Sequence, residues 1–315
     1  MTIYVITHHQ FNHEKIPLDD RFLNGCGNYV YYLIDKTTPS PLQKKSVLFE
    51  SEIDPVLAKA GKEYFGEWAF LLAEAKHGFC QYPFFMISSR FYQKNTWLLR
   101  DLNTEWETLF SYLDDYGWGC LPCYDRPLRW IELEWKKKLR QHYWKHRFFP
   151  FKEEAFHLIQ NLYQVKIFEE YRATIDLLCN YIGFKSRAHL LEYVNFYRPL
   201  IYTVFNEDLE PKTPLDRYVR KTDHHRNEKP FTFLLERFSH LFFYKEAKKF
   251  YTLHYDGYYE VDEKERSLKM LKPFQIPLQM RLERFFEWNL RKAKTEGFLA
   301  PFLPSLRILR GKIGI

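Results

Sequence analysis

The chain has 315 residues, 46% of them hydrophobic, which excludes wholesale disorder and suits one large α/β domain or a domain with an appendage. Five scattered cysteines make no disulfide framework, no apolar run reaches the roughly 18 residues of a membrane span, and the N-terminus lacks a signal peptide's basic start, so a reducing, cytoplasmic setting is expected. The net charge of +7 suits an acidic partner, such as a nucleotide, a phosphorylated lipid or an anionic membrane face, without demanding nucleic acid.

Ile3-Tyr4-Val5-Ile6 is a β-rich run ending at the polar Thr7-His8-His9-Gln10. Many nucleotide-binding α/β domains begin in this way, with ligands beyond the carboxyl ends of the strands. Gly25-Cys26-Gly27 is too short for a Gly-rich phosphate fingerprint. Tyr29 to Ile34 and Val47 to Phe49 are the next strand candidates. From Gly61 the pattern turns helical, with Phe65, Trp68, Leu72 and Ala75 on one buried face. Glu67 and Glu74 lie seven residues apart and point the same way. Gly78 ends this helix, and Phe79 to Tyr82 reads as a short buried strand stopped by Pro83.

Leu102 to Tyr112 is predicted helical and ends at Asp114-Asp115-Tyr116-Gly117, and Trp118 to Pro122 is a short strand. Leu128 to Phe149 is a basic helix in which Lys136, Lys137, Lys138 and Arg140 interleave with Trp130, Tyr143 and Trp144. It suits a solvated face, anionic lipid or a nucleic-acid groove. Glu153 to Gly183 holds one or two helices, Ser186 to Tyr197 another, and Pro199 to Phe205 a strand. Asn206 to Lys229 reads as a loop, Phe231 to Phe250 as one strong helix, and Tyr251 to Val261 as an aromatic strand or hairpin. Pro277 to Lys294 is amphipathic, and a basic, apolar tail closes the chain.

Several groups carry chemistry. His8, His9 and His13 have no matching acidic or cysteine cluster and read as a solvated loop. Cys120 and Cys123 form the sequence's one Cys-x-x-Cys; a structural zinc site needs a second pair, so packing and a turn are expected. Asp114-Asp115 could hold a divalent cation against a diphosphate, although no Asp-x-Asp occurs, and a helix-ending acidic turn fits equally well. Glu236-Arg237 sits in an apolar run, as a general base beside a cation or as a structural ion pair.

Taken in order, these segments resemble a family of glycosyltransferase-like proteins encoded in bacterial capsule and O-antigen loci. Its members begin with Tyr-Val-Val-Thr-His, continue with a Glu-opened helix and Gly-(Leu)-Cys-His-Tyr-Arg-Arg, then Tyr-Asp-x-Ile-x-Pro, and end with a Ser-Glu-Arg-Leu helix. Tyr4 to His8 resembles the first element, Glu67-Trp68-Ala69 the second, and Gly78 to Tyr82 the third. Asp115 to Pro122 resembles the fourth and Leu235 to Phe238 the fifth. Gln81 stands where the family has His, and Pro83-Phe84 replaces the Arg pair.

The resemblance implies an α/β fold with a GT-A-like nucleotide-diphospho-sugar sheet over residues 1–262, to which the amphipathic and basic pattern of 263–315 adds a helical extension. The resemblance implies transfer of a sugar from a nucleotide-sugar donor to a cell-surface polysaccharide or lipid-linked glycan, and the basic tail suits peripheral contact with an anionic membrane. In that reading Glu236 and Glu67 are catalytic, Thr7, His8, Gln81, Tyr82 and Arg237 bind substrate, and Asp114 and Asp115 hold Mn2+ or Mg2+. The rival reading is a non-enzymatic binder of RNA or anionic lipid that uses the helix at 128–149.

Overall fold

Four consecutive apolar residues leave no side of a strand for water, and β1 (Thr2–Thr7) is buried from Ile3 to Ile6. The structure, a computed structural model, describes residues 2–7, 28–33, 47–88, 106–121, 152–165, 181–212, 230–254 and 257–273. Parallel neighbours flank β1 on both sides, β2 (Asn28–Leu33) and β4 (Phe84–Ser88), and β3 (Val47–Phe49) lies parallel beyond β2. The remaining strands are β5 (Trp118–Cys120), β6 (Ile182–Phe184), β7 (Lys249–His254), β8 (Gly257–Asp262) and β9 (Ser267–Pro273). Among the described residues they form one mixed sheet of nine strands in the order β3-β2-β1-β4-β6-β5-β7-β8-β9. β6 runs antiparallel to both its neighbours, and β7 and β8 form an antiparallel hairpin.

Helices cover both faces. After the short α1 (Glu50–Ile53) come α2 (Pro55–Ala60), a π-turn (Gly61–Phe65) and α3 (Trp68–His77). Then follow α4 (Trp106–Tyr116), α5 (Lys152–Tyr163), α6 (Arg187–Val204), α7 (Pro230–Arg237) and α8 (Leu241–Lys245). On one face Tyr4 meets Phe70 of α3, Phe184 meets Tyr193 of α6, and Phe250 meets Phe243 of α8. On the other face, Phe85 and Tyr251 pack against Phe110 and Tyr112 of α4.

Five sequence-based expectations need correction. Phe79 to Tyr82 is not a strand. Gly78 takes the left-handed conformation that stops α3, and the backbone N–H of Cys80 and the hydroxyl of Tyr82 then donate to the buried Glu74 carboxylate, at 2.7 and 2.8 Å. With those groups tied to the helix, the strand starts only at Phe84. The Gly61 helix is interrupted by the π-turn, and α3 buries Trp68, Phe70, Leu71 and Ala73 while Leu72 is half-buried, so its apolar stripe is far wider than expected.

Pro199 to Phe205 is helix, not strand. α6 runs through Pro199 because Leu190, Val194, Tyr197, Ile201 and Val204 keep one buried stripe along its length. Phe231 to Phe250 is not one helix either. Tyr197 donates its hydroxyl to the Phe238 carbonyl at 2.7 Å and accepts from the Phe242 N–H at 3.1 Å, while Tyr193 donates to the Ser239 carbonyl at 3.2 Å. These hydroxyls replace the helical bonds lost between α7 and α8. The expected helical extension from residue 263 begins instead with a turn and β9. The chain divides into compact units Met1–Lys272 and Pro273–Ile315, and residues 274–315 lie outside the described residues.

Close approach of α4 to the sheet rests on two small residues paired across β5 and β6, Gly119 and Gly183. A Cβ on Gly183 would meet the Phe85 ring at 2.4 Å, and one on Gly119 would meet the Tyr251 ring at 2.5 Å. Gly183→Ala should therefore lower unfolding free energy by about 1–3 kcal/mol, the usual range for overpacking. Urea titration checks this, and a loss below about 0.5 kcal/mol, a typical surface value, would contradict it.

Candidate functional site

An open sheet built outward from its first strand leaves a crevice where the strand order reverses, and ligands settle beyond the carboxyl ends there. Here the order runs from β1 to β2 and β3 on one side and to β4 on the other, so the reversal, where such a crevice is expected, lies between β1 and β4. β1 reaches that edge with Thr7 and β4 with Ser88. Because β6 is reversed, Tyr181, the residue just before it, reaches the same edge. The Ser88 and Tyr181 hydroxyls lie 2.9 Å apart, both side chains are buried, and the Tyr181 carbonyl accepts from the Leu121 N–H beyond β5 at 2.9 Å.

β7 runs parallel to β5 and brings His254 to this edge. The imidazole is 3% exposed, and burial pushes its pKa down to about 3. It is therefore neutral at physiological pH. Its Nε2 lies 3.2 Å from the Thr252 hydroxyl, and its buried Nδ1 has no hydrogen-bond partner among the described residues. Ser88, Tyr181 and His254 carried no motif in the sequence. The nearest signal for His254 was the predicted hairpin, whose tip follows it directly.

The residues singled out from sequence divide between the two edges. Thr2, Phe84, Phe184 and Trp118 are level across the sheet and mark its amino edge. Gln81 and Tyr82 immediately precede that edge, where the Thr2 N–H donates to the Pro83 carbonyl and the Gln81 N–H to the Tyr4 hydroxyl. Asp114 and Asp115 are exposed on the last turn of α4, just before Trp118. Five residue steps of about 3.3 Å separate the two ends of β1, so the amino edge lies roughly 17 Å from the carboxyl edge along the strands. That separation removes these four residues from any pocket built on the carboxyl ends. Among the described residues, no three His, Cys, Asp or Glu side chains cluster as for a metal ion.

Glu67 and Glu236 fare differently. α3 and α6 run antiparallel: Arg187 donates to the Ala75 carbonyl at one end, Trp68 packs on Tyr193 and Tyr197 midway, and Phe65 meets Phe205 at the other. Glu67, at the head of α3, is thus carried about 15 Å away from the amino edge, the length of ten helical residues. The residues around it also contact α7, which carries the half-buried Glu236: Phe65 meets the Phe231 ring, and Thr232 donates to the Tyr64 carbonyl at 2.7 Å. The two carboxylates therefore belong to one helical layer. Arg237 is the last residue of α7. His8, Cys123 and the basic helix predicted at 128–149 lie outside the described residues.

No described helix is long and apolar enough to cross a membrane. Comparisons with family models, with curated proteins and with solved structures find no match.

Neutral burial of His254 has a pH consequence. The folded state leaves the imidazole unprotonated down to about pH 3, whereas an unperturbed histidine takes up a proton near 6.5. The unfolded chain binds more protons between those values, so this contribution is whole above about pH 6.5 and is lost as pH falls toward 3. Replacing His254 by Gln should flatten the stability profile between pH 6 and 4 by up to about 1.4 kcal/mol per pH unit. Urea unfolding across that range checks it, and an unchanged slope would mean that His254 is solvated.

Proposed function

We propose that this chain is a glycosyltransferase with a GT-A-like nucleotide-binding sheet, moving a sugar from a nucleotide-sugar donor to a cell-surface or lipid-linked glycan. The observation that carries the reading is the reversal of strand order between β1 and β4, with a polar strand end at Thr7 beside the buried Ser88–Tyr181 pair. An open sheet with its first strand at the reversal point is what a nucleotide domain requires. The described part of the first motif of the resemblance, Tyr4 to Thr7, falls on that same strand.

In this reading the donor diphosphate lies over the carboxyl ends of β1 and β4. Ser88 and Tyr181 offer hydroxyls toward it, beside the end of β1 at Thr7. The acceptor hydroxyl attacks the anomeric carbon, the bond to the diphosphate breaks, and the nucleoside diphosphate leaves with the electron pair. Glu236 takes the hydroxyl proton, and Glu67 orients the acceptor. Hard divalent cations prefer several carboxylate or other oxygen ligands, and among the described residues no three His, Cys, Asp or Glu side chains cluster as for a metal ion, so no step is routed through Mn2+ or Mg2+. Gln81, Tyr82, Asp114 and Asp115 have no part in the proposed site.

A thermal-shift screen with uridine, guanosine and thymidine diphosphate sugars, with and without Mn2+ or Mg2+, tests the reading. A donor at a hundred times its dissociation constant adds about 2.7 kcal/mol and should raise the midpoint by several degrees. Glu236→Gln should keep that shift and lose transfer at least about a hundredfold, the lower bound for a general base. Silence with every donor, or full transfer by Glu236→Gln, would contradict the assignment.

A further inference from the structure

On the outer side of the helical layer, α2 and the turn at 206–210 enclose an open cleft of about 370 Å³, within the range of small-ligand sites. Its walls are Val56 and Leu209, the Tyr64 ring stands at one side, and Lys59, Asp208 and Glu210 line the rest. Two local distortions shape it. Tyr64 projects from the π-turn, a geometry rare in helices and frequent at functional sites. Leu209 holds φ at +60°, a left-handed conformation uncommon for a non-glycine residue, and the Asn206 side-chain carbonyl fixes that turn by accepting from the Glu210 N–H at 2.8 Å.

The charges select the ligand. Lys59 is paired with Glu210 at 2.7 Å, leaving Asp208 as surplus negative charge. A phosphate or an acidic sugar would meet repulsion, and an alkyl chain would have to desolvate three charged groups. A neutral sugar ring presents an apolar C–H face for Tyr64 and Val56 and a rim of hydroxyls for the carboxylates. The cleft also adjoins the proposed chemistry, since the Tyr64 carbonyl accepts from Thr232, one turn before Glu236.

We propose that this cleft binds a neutral sugar ring of the glycan acceptor. The inference rests on the glycosyltransferase reading for the word acceptor, but the binding is measurable without donor or turnover. Saturation-transfer NMR with methyl glycosides of glucose, galactose, mannose, rhamnose and N-acetylglucosamine should show transfer to at least one ring, and methyl glucuronide should show none. Val56 is 48% exposed, so Val56→Trp should fill the cleft, abolish transfer and leave the fold intact. Asp208→Asn should weaken binding about tenfold, the usual effect of removing one charged hydrogen-bond acceptor. No transfer from any neutral glycoside, equal transfer from the glucuronide, or transfer surviving Val56→Trp would overturn the proposal. Sugar binding lost in Val56→Trp, with no donor-induced shift in either protein, would keep the cleft and overturn the transferase reading instead.

Discussion

Burial of β1 is the constraint on which the rest depends. A strand apolar on both faces needs a helical layer above and below and a paired strand along each edge. Those demands set β2 and β4 on either side of it and open the crevice where the two directions diverge. The polar residue that ends the strand, Thr7, stands at that crevice. A packing requirement and the proposed ligand site thus share six residues.

The chain meets its packing demand with aromatic side chains to an unusual degree, and tyrosine answers for the polar atoms left inside. Tyr32 donates to the buried Glu50 carboxylate and Tyr82 to the buried Glu74 carboxylate. Tyr163, Tyr193 and Tyr197 donate to main-chain carbonyls in or beside the helices they pack on. Each ring buries a large area while its hydroxyl satisfies a group that would otherwise be costly to bury. The 23 tyrosines and 29 phenylalanines therefore need no ligand to account for those in the core. Burial raises the Tyr4 and Tyr32 hydroxyls well above their ordinary pKa, so both remain protonated.

Where local chemistry decides, the sequence was legible. β1, β2 and β3 lie where apolar runs end in polar or turn residues, and the β7–β8 hairpin follows its aromatic pattern. The misreadings share one cause: burial and side-chain hydrogen bonds overrode the backbone signal of the local sequence. Glu74 drew Cys80 and Tyr82 out of a strand, Tyr197 split a helix some 40 residues further on, and the buried stripe of α6 carried it through Pro199. The three-residue β6 offered too little pattern, yet its reversed pairing brings Tyr181 to Ser88. The candidate site follows the same division. Thr7 was readable from a strand end, whereas the amino-edge position of Gln81, Tyr82, Asp114 and Asp115 depends on strand order.

Hydrogen exchange, followed by mass spectrometry with and without a nucleotide sugar at saturating concentration, would decide most directly which edge of the sheet carries the ligand. The account predicts slowed exchange in peptides spanning Thr7, Ser88 and Tyr181, with peptides covering residues 78–83 and 114–117 unchanged. Protection confined to those two amino-edge segments would contradict it and would return the site to Gln81, Tyr82, Asp114 and Asp115.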